Sequence, residues 1–242
     1  MIEPEVVSYG DGLRGLLYRR AGNAVVWNHG SERDPEPRPE LAAFYLAAGY
    51  ALFLPHRRGH GLSAGEYPID ALRGRTPVGA ALIDLHERYL ADTLAAVEWL
   101  ARQPWAESVA ISGVSHGAIQ SILAASRPCV AFAPAAMAWQ HVPELHAWLL
   151  AAVERASAPI FLAQARNDYD LGPAEVLGAA LERKGAPNEV RVYPAYGDTA
   201  QAGHAGFACL GTDIWGADVL RFLAAAETIE GAERALKQPP AP

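Results

Sequence analysis

The stretch VAISGVSHGAIQS, residues 109–121, contains one serine between two glycines, directly after a short apolar run. Gly113 to Gly117 form the pattern G-x-S-x-G, and Ser115 is its central residue. The apolar run before the pattern predicts a strand, and AIQSILAAS after it predicts a helix. Together they predict a tight strand-to-helix turn that presents the Ser115 hydroxyl at the carboxyl end of a strand.

The two glycines suit such a turn, because a serine in an unusual backbone conformation leaves no room for bulky neighbours. A position at a helix N-terminus also supplies free N–H groups and a positive dipole end, both suited to an emerging oxyanion. We interpret Ser115 as a nucleophile. The alternative is a chance occurrence of the pattern in a chain rich in alanine and glycine.

Strand-like apolar runs alternate with helical patterns along the rest of the chain. A hairpin is predicted at 6–18, and further strands at 24–30, 50–56, 108–112, 129–136, 159–168 and 189–195. Helical patterns cover 41–49, 85–102, 118–126, 142–156, 172–185 and 217–227.

This alternation predicts the α/β class, with a mostly parallel sheet and helices on both faces. We expect a single domain at 1–232 and a frayed tail at 233–242. No long insertion separates the strand patterns at 129–136 and 159–168, so we expect no large lid domain there.

Composition excludes several other classes of protein. The net charge of −7 argues against a nucleic-acid or anionic-membrane partner. The two cysteines, Cys129 and Cys209, lie among apolar neighbours and predict free thiols in a reducing compartment. The first residues, MIEPEVVSYGDG, contain acids and a proline where a signal peptide has a basic start and an apolar stretch. We therefore expect a soluble, cytoplasmic protein.

A serine hydroxyl is a weak nucleophile until a positioned base removes its proton and an acid orients that base. The motif predicts the chain order serine, acid, histidine. Asp168 and Asp170 both follow the strand at 159–168, and His204 is the one histidine after that strand. We expect a triad of Ser115, Asp168 and His204, with Asp170 as the alternative acid.

An acyl-transfer site also needs donors for the oxyanion. The backbone N–H of His116, directly after the serine, is one expected donor. The second is the N–H of Ser31, in the loop after the strand at 24–30, where Gly30 allows the backbone to approach the substrate closely. Taken alone, the His-Gly pair before Ser31 is equally typical of an ordinary strand-ending turn.

In this order, NHGS, HRRGHGLSAG, GVSHG, ARNDYDL and GHAGF make the chain similar to the α/β-hydrolase superfamily. The likeness is strongest to small, lidless serine esterases of the dienelactone-hydrolase-like and prolyl-oligopeptidase-like types, and it covers nearly the whole chain. It implies an eight-stranded, mostly parallel sheet and the same Ser115–His204–Asp168 triad. Dienelactone hydrolases carry cysteine at the nucleophile position, so Ser115 favours an ordinary carboxylic ester hydrolase.

The expected activity is therefore cleavage of a small acyl ester, with a small molecule as the partner and no cofactor. Alternatives are a peptidase or lactonase with the same triad, and a binding protein without catalysis. We expect no metal, because His56, His60 and His86 lack clean ligand spacing. Three residues are candidate substrate contacts, namely Arg57, Arg58 and Trp139. For the arginines the alternative is pairing with surface acids, and for the tryptophan it is the core.

Overall fold

Eight strands of the described chain form one sheet in a computed structural model, which describes residues 2–72 and 78–237. They are β1 (Glu5–Gly10), β2 (Leu13–Tyr18), β3 (Gly22–Asn28), β4 (Tyr50–His56), β5 (Ala106–Val114), β6 (Cys129–Phe132), β7 (Ile160–Ala165) and β8 (Glu189–Tyr193). Their order across the sheet is β1-β2-β4-β3-β5-β6-β7-β8. Only the β1–β2 and β2–β4 pairs are antiparallel among these strands, so the carboxyl ends of β3 to β8 meet at one edge.

Helices connect the strands and cover both faces of the sheet. They are α1 (Pro39–Ala47), α2 (Pro68–Leu72), α3 (Val78–Ala101), α4 (His116–Leu123), α5 (Glu144–Arg155), α6 (Gly172–Lys184), α7 (Phe207–Leu210) and α8 (Thr212–Lys237). A π-helical turn, Ala202–Gly206, precedes α7. Among the residues that are described, no helix combines the length and the apolar composition that crossing a bilayer requires.

Adjacent residues of the central strands face opposite sides, as the two-residue period of a strand requires. Val25 packs with α1 and α8 in one core cluster, whereas Val26 packs against α3 in another. A third cluster lies under α4, α5 and α6. Both faces of the parallel strands are therefore buried, which explains their nearly continuous apolar sequences.

The expected fold class is confirmed, including the eight strands and the helices on both faces. Helix α3 begins at Val78, well before the predicted start at residue 85. Helix α8 continues to Lys237 and so enters the segment 233–242, for which the sequence predicts a frayed tail. Residues 238–242 of that tail and residues 73–77 lie outside the described residues.

Candidate active site

Ser115 occupies the tight turn between β5 and α4. Its backbone angles, φ 56° and ψ −119°, are ones that residues other than glycine rarely adopt. The turn has room to form because the residues two positions before and after Ser115 are glycines. A Cβ on Gly117 would lie 2.0 Å from the carbonyl oxygen of Asn28, and one on Gly113 would lie 2.7 Å from the same oxygen. Close packing of the elbow against the end of β3 thus explains both glycines of the pattern.

The structure brings Asp168, rather than Asp170, to His204. The Nδ1 atom of His204 lies 2.8 Å from Oδ1 of Asp168, and both side chains are buried. Asp170 instead accepts a hydrogen bond from the backbone N–H of Gly172 at the start of α6, at 2.7 Å. Asp168 is therefore the carboxylate that can fix the tautomer and the orientation of the imidazole.

Hydrogen bonds connect the loop that carries His204 with the loop that carries Asp168. The side-chain amide of Asn167 donates to the carbonyl oxygens of Tyr196, Gly197 and Thr199 at 3.0–3.2 Å. Its Oδ1 accepts from the N–H of Tyr196 at 2.9 Å. Asn167 thus holds the loops of Asp168 and His204 in a fixed relation, although they are distant in sequence.

Ser115 and His204 line one cavity of about 490 Å³. The Nε2 atom of His204 is buried and has no hydrogen-bond partner among the described residues, so the nitrogen that would take the serine proton is unoccupied. Charged and apolar side chains complete the wall. The lining residues are Gly30, Ser31, Glu32, Arg38, Val114, Ser115, Met137, Gln201, His204, Ala205, Gly206, Cys209 and Leu210.

The expected oxyanion donors lie beside this cavity. A Cβ built on Gly30 would be 3.8 Å from the Cβ of Ser115 and 2.7 Å from Oε2 of Glu32, so the glycine lets the backbone pass close to Ser115. The carbonyl oxygen of Ser31, which belongs to the next peptide group, accepts from the Tyr67 hydroxyl at 2.6 Å and helps to hold this loop in place. His116 is the first residue of α4, where a helix leaves N–H groups without intrahelical partners.

The three candidate substrate contacts lie elsewhere than expected, and none lines the cavity described above. Arg57 is fully buried, and its guanidinium donates to backbone carbonyls of the Gly30 loop. Arg58 pairs with the buried carboxylate of Asp92. Trp139 is buried and stacks on His146, with ring centroids 4.0 Å apart. Trp139 lies in the core, as its alternative states, and Arg58 pairs with an acid that is buried, whereas the alternative named surface acids.

A family model of X-Pro dipeptidyl-peptidases, the S15 family, matches residues 14–171. The chain belongs to this family. The matched range includes Ser115 and Asp168 and ends before His204. No curated protein sequence matches the chain.

Solved α/β hydrolases share the fold of this S15 chain, and together with the family match they bear out the resemblance stated from the sequence motifs. The esterase Pf2001 of Pyrococcus furiosus is 20% identical, with 93% of both chains covered and a TM-score of 0.64. A dienelactone hydrolase of Anabaena variabilis is 21% identical, with 88% of this chain and 95% of that chain covered and a TM-score of 0.59. Est1E of Butyrivibrio proteoclasticus, solved with ferulic acid bound, is 16% identical, with 93% and 99% covered and a TM-score of 0.64. At these identities the likeness shows the fold alone.

Sequence reasoning missed several residues of this S15 site. Glu32 and Arg38 form an ion pair of 3.1 Å in the cavity wall. Gln164 is fully buried and donates from Nε2 to Oδ2 of Asp168 at 3.0 Å. A polar residue inside an otherwise apolar strand was the available signal for Gln164, because buried amides require partners. No spacing rule connects Glu32 with Arg38, since both lie in an irregular loop.

Five buried histidines lie close enough to Arg57 for its charge to affect their pKa, and His29 contacts its guanidinium. Burial, reinforced by the Arg57 charge, lowers the pKa of His56 and His60 to about 4 and that of His86 to about 3. It also lowers the pKa of His29 and His116 well below the ordinary value, with burial as the main cause. At neutral pH these five imidazoles are therefore uncharged.

Proposed function

We propose that this hydrolase cleaves small carboxylic esters through an acyl-enzyme on Ser115, with His204 as base and Asp168 as orienting acid. The observation that carries the proposal is the buried 2.8 Å contact between Asp168 and His204, with the free Nε2 atom of that histidine and Ser115 on the wall of one cavity. The elbow conformation of Ser115 supports it, because strained backbone at a cavity is typical of a nucleophile.

The reaction follows from these positions. The Ser115 Oγ atom attacks the ester carbonyl carbon while Nε2 of His204 accepts the hydroxyl proton. The carbonyl oxygen becomes an oxyanion that the N–H groups of Ser31 and His116 stabilise. The carbon–oxygen bond to the alcohol then breaks, and His204 returns the proton to the leaving oxygen. Water enters, gives a proton to His204 and attacks the acyl carbon. The bond from that carbon to the Ser115 Oγ atom then breaks, and His204 gives the proton to Oγ, which releases the carboxylic acid and restores the hydroxyl group.

Small esters fit the size and the wall of the cavity. A volume of about 490 Å³ accommodates a small organic molecule, and exposed Met137 and Leu210 offer apolar contact. The esterase Pf2001 and Est1E, whose structure contains ferulic acid, share the fold, which supports ester chemistry by analogy. The second candidate is cleavage of X-Pro peptides, and the S15 family match favours it.

The test begins with a fluorophosphonate probe, which labels activated serines. We expect labelling of the wild-type chain and of Ser157→Ala, a substitution at an exposed serine, and none of Ser115→Ala. Turnover of p-nitrophenyl esters of increasing acyl length is then compared with turnover of an X-Pro p-nitroanilide. Labelling with ester turnover supports the proposal, and labelling with only anilide turnover supports the peptidase. A folded wild-type protein that takes no label contradicts both.

A further inference from the structure

Arg57 is a buried cation without a carboxylate in contact. Its side chain is fully buried, and within residues 2–72 and 78–237 no ion pair of this arginine is found. The adjacent Arg58 takes the nearby acid, since both oxygens of Asp92 accept from the Arg58 side chain. Taking a charge out of water is costly, so a buried arginine whose guanidinium contacts carbonyl groups and not a carboxylate among the described residues requires an explanation.

The guanidinium is directed at the backbone of the oxyanion loop. Nη1 of Arg57 donates to the carbonyl oxygen of His29 at 2.9 Å, and Nη2 donates to that of Gly30 at 2.6 Å. Nη2 also lies 3.1 Å from Nδ1 of His29. Two consecutive carbonyl groups are therefore held by one planar group, and this fixes the course of the chain directly before Ser31.

The charge of this cluster is concentrated on Arg57. Burial lowers the pKa of the guanidinium to about 10, which still leaves it protonated at neutral pH. The five buried histidines near Arg57 are neutral under the same conditions, as shown above. A buried positive charge thus lies against the carbonyl groups directly before Ser31, a residue that lines the same cavity as Ser115.

The bond to Gly30 has a direct electronic consequence. The carbonyl of Gly30 and the N–H of Ser31 belong to the same peptide group, which is conjugated and planar. A cation that binds the oxygen withdraws electron density from the nitrogen, so the N–H becomes a stronger donor. The gain is largest when the acceptor is a full oxyanion, that is, in the transition state.

We propose that Arg57 is a positioning residue of the oxyanion hole, which orients the Gly30–Ser31 peptide and strengthens the Ser31 N–H as a donor to the developing oxyanion. The inference rests on the proposed serine-hydrolase function. It assigns Arg57 an action through the peptide, in place of the substrate contact expected from the sequence.

The experiment compares Arg57→Met, which removes the charge at similar length, with Arg57→Lys, which keeps it. With p-nitrophenyl acetate we expect kcat of Arg57→Met to fall by about 10²–10³, the loss typical of one oxyanion donor, while KM changes little. Arg57→Lys should recover at least about 10-fold of that loss, because an ammonium also donates to carbonyl oxygens. The matched control is Arg102→Met, at an exposed arginine directly after α3, and this variant should retain wild-type kinetics.

Inhibition by a trifluoromethyl ketone separates this role from a structural one. The ketone adds to Ser115 and forms a hemiketal oxyanion, so its inhibition constant should rise in parallel with the loss of kcat/KM. A folded Arg57→Met protein with unchanged kcat, or with unchanged affinity for the ketone, overturns the inference. If Arg57→Met does not fold, the same comparison is made with Arg57→Lys, whose inhibition constant for the ketone should rise in proportion to its loss of kcat/KM. Failure of the proposed function is distinct, because the wild-type chain would then neither take the fluorophosphonate label nor turn over esters.

Discussion

At the scale of single residues, the arrangement of the site depends on which of two neighbouring aspartates contacts the imidazole of His204. Oδ1 of Asp168 lies against His204, and its Oδ2 accepts a hydrogen bond from Gln164. The neighbouring Asp170 accepts instead from the backbone at the start of α6. Two acids that are nearly equivalent in sequence thus have different partners. The choice between them follows from where the strand ends and the turn begins, which no spacing rule resolves.

Substitution of the two aspartates should give opposite results. Asp168→Asn removes the charge that fixes the imidazole, and we expect kcat to fall by about 10⁴, the loss seen when a triad acid becomes an amide. Asp170→Asn keeps an oxygen that can accept from Gly172 and should leave kcat within about twofold of wild type, with less than about 1 kcal/mol of stability lost. Steady-state kinetics with a p-nitrophenyl ester measure both. Equal losses in the two variants would refute the assignment of Asp168.

Gln164→Glu tests the second oxygen of the acid. It places a carboxylate about 3 Å from Oδ2 of Asp168, and two carboxylates this close share one proton. Because the shared proton must leave before Asp168 can act on His204 as a carboxylate, activity should fall and the acid limb of the rate should move to higher pH. The pH dependence of kcat/KM measures this shift. Gln164→Met, which removes the donor without adding charge, should leave the position of the limb unchanged.

At the scale of elements, the elbow shows how sequence and structure correspond. The strand, turn and helix around Ser115 could be predicted, because apolar runs and glycines report local conformation directly. The start of α3 could not, since VGAALID at 78–84 has a glycine and no clear apolar stripe. The place of Arg57 could not either. Arginine in a glycine-rich loop is usually exposed, and its partners belong to a loop far away in sequence.

The elbow also predicts a substitution that the fold should not tolerate. In Gly117→Ala the new methyl group would meet the Asn28 carbonyl oxygen at 2.0 Å, and backbone cannot yield as a flexible side chain does. We expect a loss of about 2–4 kcal/mol in the free energy of unfolding, measured in urea. Gly206→Ala is the control for stability, since its nearest contact would be an ordinary 3.5 Å. Equal stability of the two variants would contradict the close packing described for the elbow.

At the scale of the whole molecule, the buried histidines connect stability with pH. The folded pKa values of His56 and His60 are about 4 and that of His86 is about 3, whereas an unfolded histidine titrates near 6.5. Between these values the unfolded chain binds more protons, so stability decreases as pH falls. The contribution is fully present above about pH 6.5 and is lost progressively toward pH 4.

We therefore expect urea midpoints to fall steeply between about pH 7 and about pH 5, with several kcal/mol of stability lost, since each unit of pKa shift corresponds to about 1.4 kcal/mol. His60→Asn should make this decline shallower, because one depressed group is removed. His141→Asn, at an exposed position, should leave the slope unchanged. A wild-type midpoint that does not move over this range would mean that these histidines bind protons as readily in the folded protein as in the unfolded chain, which contradicts the prediction.

The cavity wall has one more consequence, for the handedness of substrates. Its lining is mixed, since it includes the paired charges of Glu32 and Arg38 as well as the exposed side chains of Met137 and Leu210. An ester with a stereocentre next to its carbonyl presents a polar and an apolar substituent in mirror-image order in its two enantiomers. With the carbonyl fixed over Ser115, the two orders contact this mixed wall differently, so a racemic ester should be hydrolysed with a preference for one hand.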